Sequence, residues 1–247
     1  MTRLWSLLIL GAALALGACA TPSLAPIAMS DGATTFKVRV ENISTGNTLK
    51  LSDGGAAPFA ISPGLWVVHT AGAPVFAEGE KDRGHGLEAQ AEDGNPAILA
   101  KSLEGAPGVV SSGVFTTPGG ANGYGPAGPG SAFEFTVTAK PGERLTFTTM
   151  FGQSNDLFYA PKESGIALFD RTNRPIHGDV TSQVMLWDAG TEVNQEPGAG
   201  PDQAPRQKAP NTGPSESHVV EPIEQVHDGF TYPKTRDVLR VTITPVK

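Results

Sequence analysis

A second cysteine is missing: the chain holds one, Cys19, so no disulfide within the chain can brace the fold. Basic residues are also scarce, 18 Lys and Arg against 25 Asp and Glu, for a net charge of −7 at pH 7. With no basic stripe to neutralise phosphates, nucleic acid is set aside as a partner. The five histidines, His69, His85, His177, His218 and His227, show no H-E-x-x-H or i, i+4 spacing, and no G-x-S-x-G elbow occurs. Zinc-protease and α/β-hydrolase chemistry therefore lack a sequence signature. Gly and Pro together make up about a fifth of the 247 residues, below the roughly 25–30% of low-complexity disorder, and 39% of residues are hydrophobic. A chain of this kind buries a core, and its length suits one all-β domain.

The N-terminus is more specific. Met1 to Arg3 is a short basic segment, Leu4 to Leu16 is apolar, and Leu16-Gly17-Ala18-Cys19 resembles the bacterial lipobox, with the lone cysteine at the position that is acylated. The apolar run is shorter than the roughly 20 residues of a membrane span. The expectation is a signal peptide over 1–18, a lipidated Cys19 and a Pro-containing tether over 19–33. The domain itself is expected over 34–247. Ala20 after the cysteine, rather than Asp, fits the outer membrane of a Gram-negative bacterium. The implied location is the cell envelope, lipid-anchored on its periplasmic or surface face, with the membrane as a partner through the lipid.

Period-2 alternation begins at Phe36, Val38 and Val40. Further strands are predicted at Leu65 to Thr70, Val109 to Thr117, Ala132 to Ala139, Arg144 to Phe151, Gly165 to Phe169, Val180 to Trp187 and Val238 to Thr244. The Pro141-Gly142 turn predicts a hairpin between the strands on either side of it. Helix is confined to Gly86–Glu92 and Pro96–Leu103, with Asn95 as N-cap and Pro96 in the first turn. Gly123-Tyr124-Gly125-Pro126-Ala127-Gly128 matches G-x-G-x-x-G, but Pro126 and Pro129 bar the helix a dinucleotide site requires, so it reads as a loop.

The chemistry concentrates after Thr148. Ser154-Asn155-Asp156 follows one strand, and Asp188-Ala189-Gly190-Thr191-Glu192 closes another. Carboxylates at neighbouring strand ends suit Ca²⁺, which takes 6–8 oxygens at flexible angles; the alternative is that Asp156 and Asp188 cap turns. At these residues the sequence resembles the spondin N-terminal domain family, of the F-spondin and mindin type, in its bacterial secreted form. The resemblance rests on Trp187-Asp188-Ala189-Gly190-Thr191-Glu192, on Met150 to Phe158, and on the Leu-Glu-Ala-x-Ala-Glu-Asp-Gly segment Leu87 to Gly94. It covers Thr34 to Lys247.

The resemblance implies an all-β fold, an eight-stranded antiparallel C2-like sandwich with a short helical excursion, long loops and one Ca²⁺. Asp156 and Asp188 fall on its ligand positions. Glu134 is the best match to a third ligand, and Glu192 stands as a further ligand or as an acceptor beside them. Residues 193–233 form a long Pro/Gly-rich insertion. Two functional classes are in play. One is a non-catalytic binding or adhesion module that presents loops to an envelope or extracellular protein or glycan. The other is a metal-dependent envelope hydrolase with Asp156, Asp188 and His218 or His227 around the metal. No nucleophile–base pair is recognisable, so the expectation is a binding module and not an enzyme.

Overall fold

The computed structural model describes residues 32–70 and 72–246. The predicted signal, Cys19 and the tether up to residue 31 lie outside the described residues. In chain order the strands are β1 (Thr34–Asn42), β2 (Leu49–Lys50), β3 (Ala56–Ala57), β4 (Ile61–His69) and β5 (Val109–Phe115). They continue as β6 (Ala132–Ala139), β7 (Arg144–Phe151), β8 (Leu157–Pro161), β9 (Ile166–Ala167) and β10 (Gly178–Asp179). The last three are β11 (Val184–Asp188), β12 (Glu221–Pro222) and β13 (Leu239–Val246). Helices α1 (Leu87–Asp93) and α2 (Ala97–Ser102) fill the gap between β4 and β5, and α3 (Thr235–Val238) precedes β13. Among the described residues eight strands have five residues or more, and the other five are two-residue pairings.

The strands form an antiparallel sandwich. One sheet runs β10-β13-β1-β6; the other runs β12-β11-β8-β7-β4-β5, with β9 attached to β7. Phe36, Val38 and Val40 of β1, Phe133 and Val137 of β6, and Val241 and Ile243 of β13 face Leu145, Phe147, Leu157 and Tyr159 of the second sheet. The outer face of that second sheet is covered in turn: Leu87 and Ala91 of α1 and Leu99 of α2 pack with Leu65, Val67, Phe158 and Trp187. Central strands are thus buried on both faces, which is why β8 and residues 65–68 of β4 read as unbroken apolar runs while β1, β6 and β13 alternate; β7 is equally buried but keeps Thr146, Thr148 and Thr149 inside.

The predicted spans of β6 and β7 match the structure, but the hairpin between them does not exist. β6 pairs with β1, and β7 pairs with β4 and β8. At Lys140 to Glu143 the chain steps from one sheet to the other, closed by Glu143 N–H donating to Lys140 O at 3.0 Å and Lys140 N–H donating to Glu143 Oε2 at 2.8 Å. The apolar sides of the two strands face each other across the core instead of lying side by side.

Three strand expectations are also corrected. Gly165 to Phe169 shortens to Ile166–Ala167, and β11 begins only at Val184, after a 3₁₀ turn at Thr181–Gln183. β8 is absent from the predicted strands; its five residues are all buried and show no alternation to reveal them. Both predicted helices are present, and Asn95 Oδ1 accepts the Ala97 N–H at 3.1 Å, as the cap reading requires. Gly123 to Gly128 lies in the loop between β5 and β6.

Candidate metal centre

β8 and β11 run antiparallel with Leu157 opposite Asp188, so the turn that precedes β8 and the loop that follows β11 emerge at the same end of the sheet. Ser154 shapes the turn: its hydroxyl donates to Phe151 O at 2.6 Å and accepts the Leu157 N–H at 3.1 Å. This delivers Asp156 to the loop 189–192. There its Oδ2 accepts backbone N–H groups from Thr191 at 2.8 Å and Glu192 at 3.1 Å, while Oδ1 has no partner. Asp188 is held similarly: Oδ1 accepts the Gly190 N–H at 2.7 Å and Oδ2 accepts Asn194 Nδ2 at 2.6 Å.

The third carboxylate comes from the predicted insertion. Residues 190–193 and 214–218 form a short antiparallel run, with Val193 N–H to Pro214 O, Glu216 N–H to Thr191 O and His218 N–H to Gly190 O, each at 2.9 Å. Glu216 is thereby brought to the aspartates. One ligand atom from each of Asp156, Asp188 and Glu216 lies within 4.8 Å of the other two. Glu216 is exposed while both aspartates are buried, so the group opens to solvent on one side. That side is a pocket of about 470 Å³ lined by Asp188, Glu216, His218, Glu221, His227 and Asp228, among others. His218 Nδ1 lies 3.4 Å from Glu221 Oε1.

Electrostatics sets this cluster apart. Among the described residues no lysine or arginine forms an ion pair with Asp156, Asp188, Glu216, Glu192 or Glu92. Burial, with the Asp188 charge beside it, raises the Asp156 carboxyl well above the usual carboxylate range, against the pull of the Glu192 and Thr191 N–H groups. Burial raises Asp188 as well, partly offset by Gly190 and Asn194, and it raises Glu216 next to Asp188. Buried carboxylates without cationic partners are costly, and a divalent cation removes that cost. The donors are all oxygen, which suits a hard divalent cation.

The other sequence-predicted residues fall elsewhere. Glu134 is a correction: it sits in the opposite sheet on the solvent face of β6, ion-paired with Lys37 at 2.7 Å and Arg39 at 3.1 Å. Strand alternation placed it correctly outward, but outward there faces away from the acidic centre, and Lys37 chiefly holds its carboxyl below the ordinary range. Glu192 is buried next to the cluster, where its Oε2 accepts Asn155 Nδ2 at 3.2 Å and its backbone, not its carboxylate, touches Asp156. Cys19 lies outside the described residues. Glu216 went unread because Pro-Ser-Glu-Ser carries no metal-site signature. The two histidines of the hydrolase alternative do share the pocket with Asp188 and Glu216.

No protein-family model matches the chain, and no curated protein does.

Proposed function

We propose that the chain is an envelope lipoprotein whose spondin-like sandwich binds Ca²⁺ and serves as a non-catalytic binding module for a protein or glycan. The observation that carries it is the convergence of Asp156, Asp188 and Glu216, with no lysine or arginine paired to them among the described residues. Cys19 would hold the lipid, and the resemblance of Trp187 to Glu192 to the spondin block supports the identity of the cation. Asp156 and Asp188 each already spend an oxygen on N–H groups of the loop between Gly190 and Glu192. A cation on their remaining oxygens would lock that loop to the turn before β8 and order the surface around the 470 Å³ pocket. This is loop ordering, the service a binding surface needs.

The test is calcium titration of the chelator-stripped chain with melting in parallel. At 100 times the dissociation constant a single site raises stability by about 2.7 kcal/mol. Asp188→Asn is expected to remove most of the part due to this site, and Asp156→Asn the same. Equal melting with calcium and chelator would refute the reading.

The hydrolase is the second reading, favoured by His218 and His227 in the same pocket. A catalytic metal needs an open coordination position and a base within about 3 Å of the proton it takes. The binding-module reading expects calcium binding to survive the double substitution His218→Ala with His227→Ala, and no turnover of ester, phosphoester or glycoside panels. Calcium-dependent hydrolysis lost in that double variant would promote the enzyme instead.

A further inference from the structure

Next to the loop between Gly190 and Glu192 lies a second set of oxygens with no assigned task. Glu92, in the last turn of α1, is 2% exposed, and both its carboxylate oxygens lack a hydrogen-bond partner. The Thr191 hydroxyl beside it favours its charged form, and among the neighbouring acids Glu192 opposes that form most strongly. Glu192 is 3% exposed and holds Asn155 through Nδ2, leaving Asn155 Oδ1 without a partner one amide width away. The backbone of Gly213 closes over Glu192 so tightly that a Cβ there would lie 2.8 Å from both carboxylate oxygens. Glu88, Asp93 and Asp202 add their charges from the rim.

The Thr191 hydroxyl and the Asn155 amide are neutral groups that offset this charge only in part. No lysine or arginine pairs with Glu92 or Glu192 among the described residues. The local helix opposes it too, because the C-terminal turn of α1 presents partial negative charge to Glu92. Solvent is shut out from both carboxylates, so hydration cannot do the work either. A buried acid with two unpartnered oxygens, beside a second buried acid and an unpartnered amide oxygen, is an oxygen cage for a hard cation.

We propose that Glu92, Glu192, Asn155 Oδ1 and the Thr191 hydroxyl form a second Ca²⁺ site, separate from the Asp156, Asp188 and Glu216 group. Ca²⁺ suits it better than Mg²⁺, because a closed cage leaves little space for the waters that Mg²⁺ retains. Thr191 belongs to both neighbourhoods: its N–H and hydroxyl reach Asp156 Oδ2 at 2.8 and 3.3 Å. The site stands on its own carboxylates and does not require that the first group hold a cation.

The experiment is equilibrium dialysis of the chelator-stripped chain against radioactive calcium, with the number bound per chain as the readout. The wild type is expected to bind two. Glu92→Gln is expected to bind one and to keep the fraction lost in Asp188→Asn, and the pair of substitutions together is expected to bind none. In chelator, at pH above about 8, Glu92→Gln should melt at or above the wild type, since a neutral isostere then replaces a buried charge; Glu192→Gln provides the same test if Glu92→Gln fails to fold. One calcium per chain, unaffected by Glu92→Gln and lost in Asp188→Asn, overturns the second site and leaves the first standing. One calcium lost in both variants overturns it as a separate site. One calcium lost in Glu92→Gln but kept in Asp188→Asn supports this site and removes the other.

Discussion

At Gly190 the backbone takes φ 67°, and a Cβ there would meet the His218 carbonyl carbon at 2.8 Å and its oxygen at 2.9 Å. The same residue donates its N–H to Asp188, and the two N–H groups that follow hold Asp156. Substitution by alanine therefore costs left-handed strain of about 1–2 kcal/mol and pushes the run that carries Glu216 away from the aspartates. Gly190→Ala is expected to lose roughly 2–4 kcal/mol of stability and at least about tenfold in calcium affinity, read by melting and by calcium dialysis. Unchanged affinity would show that the loop conformation does not set the site. Asp156 and Asp188 were legible in the sequence because each sits in a block of turn-forming residues at a strand end. Glu92 stood in plain view within Leu87 to Gly94, but a single acid on the flank of a short helix does not announce that α1 will seal it inside.

Among the elements, alternation located β1, β6 and β13 because each has one wet face, and β6 was readable to the residue. Alternation cannot say which neighbour a strand takes, and so the Pro141-Gly142 turn predicted a hairpin where the chain changes sheets. The insertion was legible as an insertion and no further. In the structure it wraps the turn before β8: Gly198 N–H donates to Gln153 O at 3.0 Å, Arg206 Nη1 donates to Gln153 Oε1 at 3.1 Å, and Gln203 is fully buried beneath it. These contacts fasten residues 195–213, a stretch that contributes no strand to either sheet, whereas β12 comes from the later part of the insertion. Replacing residues 195–213 by a short Gly/Ser linker is expected to leave the far-UV β signature intact while calcium affinity falls about tenfold or more, because the run that carries Glu216 keeps its own backbone bonds but loses the contacts to Gln153 that steady the chain leading into it. Loss of the sheet signal would assign the insertion to the core instead.

For the molecule as a whole, the acidic centre predicts an unusual stability profile. Burial pushes Glu92 from its ordinary 4.5 up to about 8, and Asp156, Asp188, Glu192 and Glu216 move in the same direction. The folded calcium-free chain thus binds protons more tightly than the unfolded one, so stability present below pH 4.5 is withdrawn as pH rises towards 8. One unit is about 1.4 kcal/mol; discounted for solvent screening, the loss is roughly 2 kcal/mol, or about 4–8 °C in Tm for a chain of this size. Melting between pH 5 and 8 in chelator should fall by that amount, and saturating calcium should flatten the slope. A chelator profile that rises over this range would contradict the buried-acid account. Glu134 and Asp179, whose carboxyls are held below the ordinary range, act only in acid. The pairing of β1 has a further consequence, in time. Val38 lies between Phe135 on one side and Ile243 on the other. A ribosome releases β1 early, yet both of its neighbours arrive much later, one of them from the last strand. Until then β1 lacks a pairing partner on its β13 side, and the first sheet stays incomplete. Such non-local closure belongs to folding on the millisecond-to-second scale; on the proposed export route the delay is useful, because a chain that has not yet closed can still be threaded.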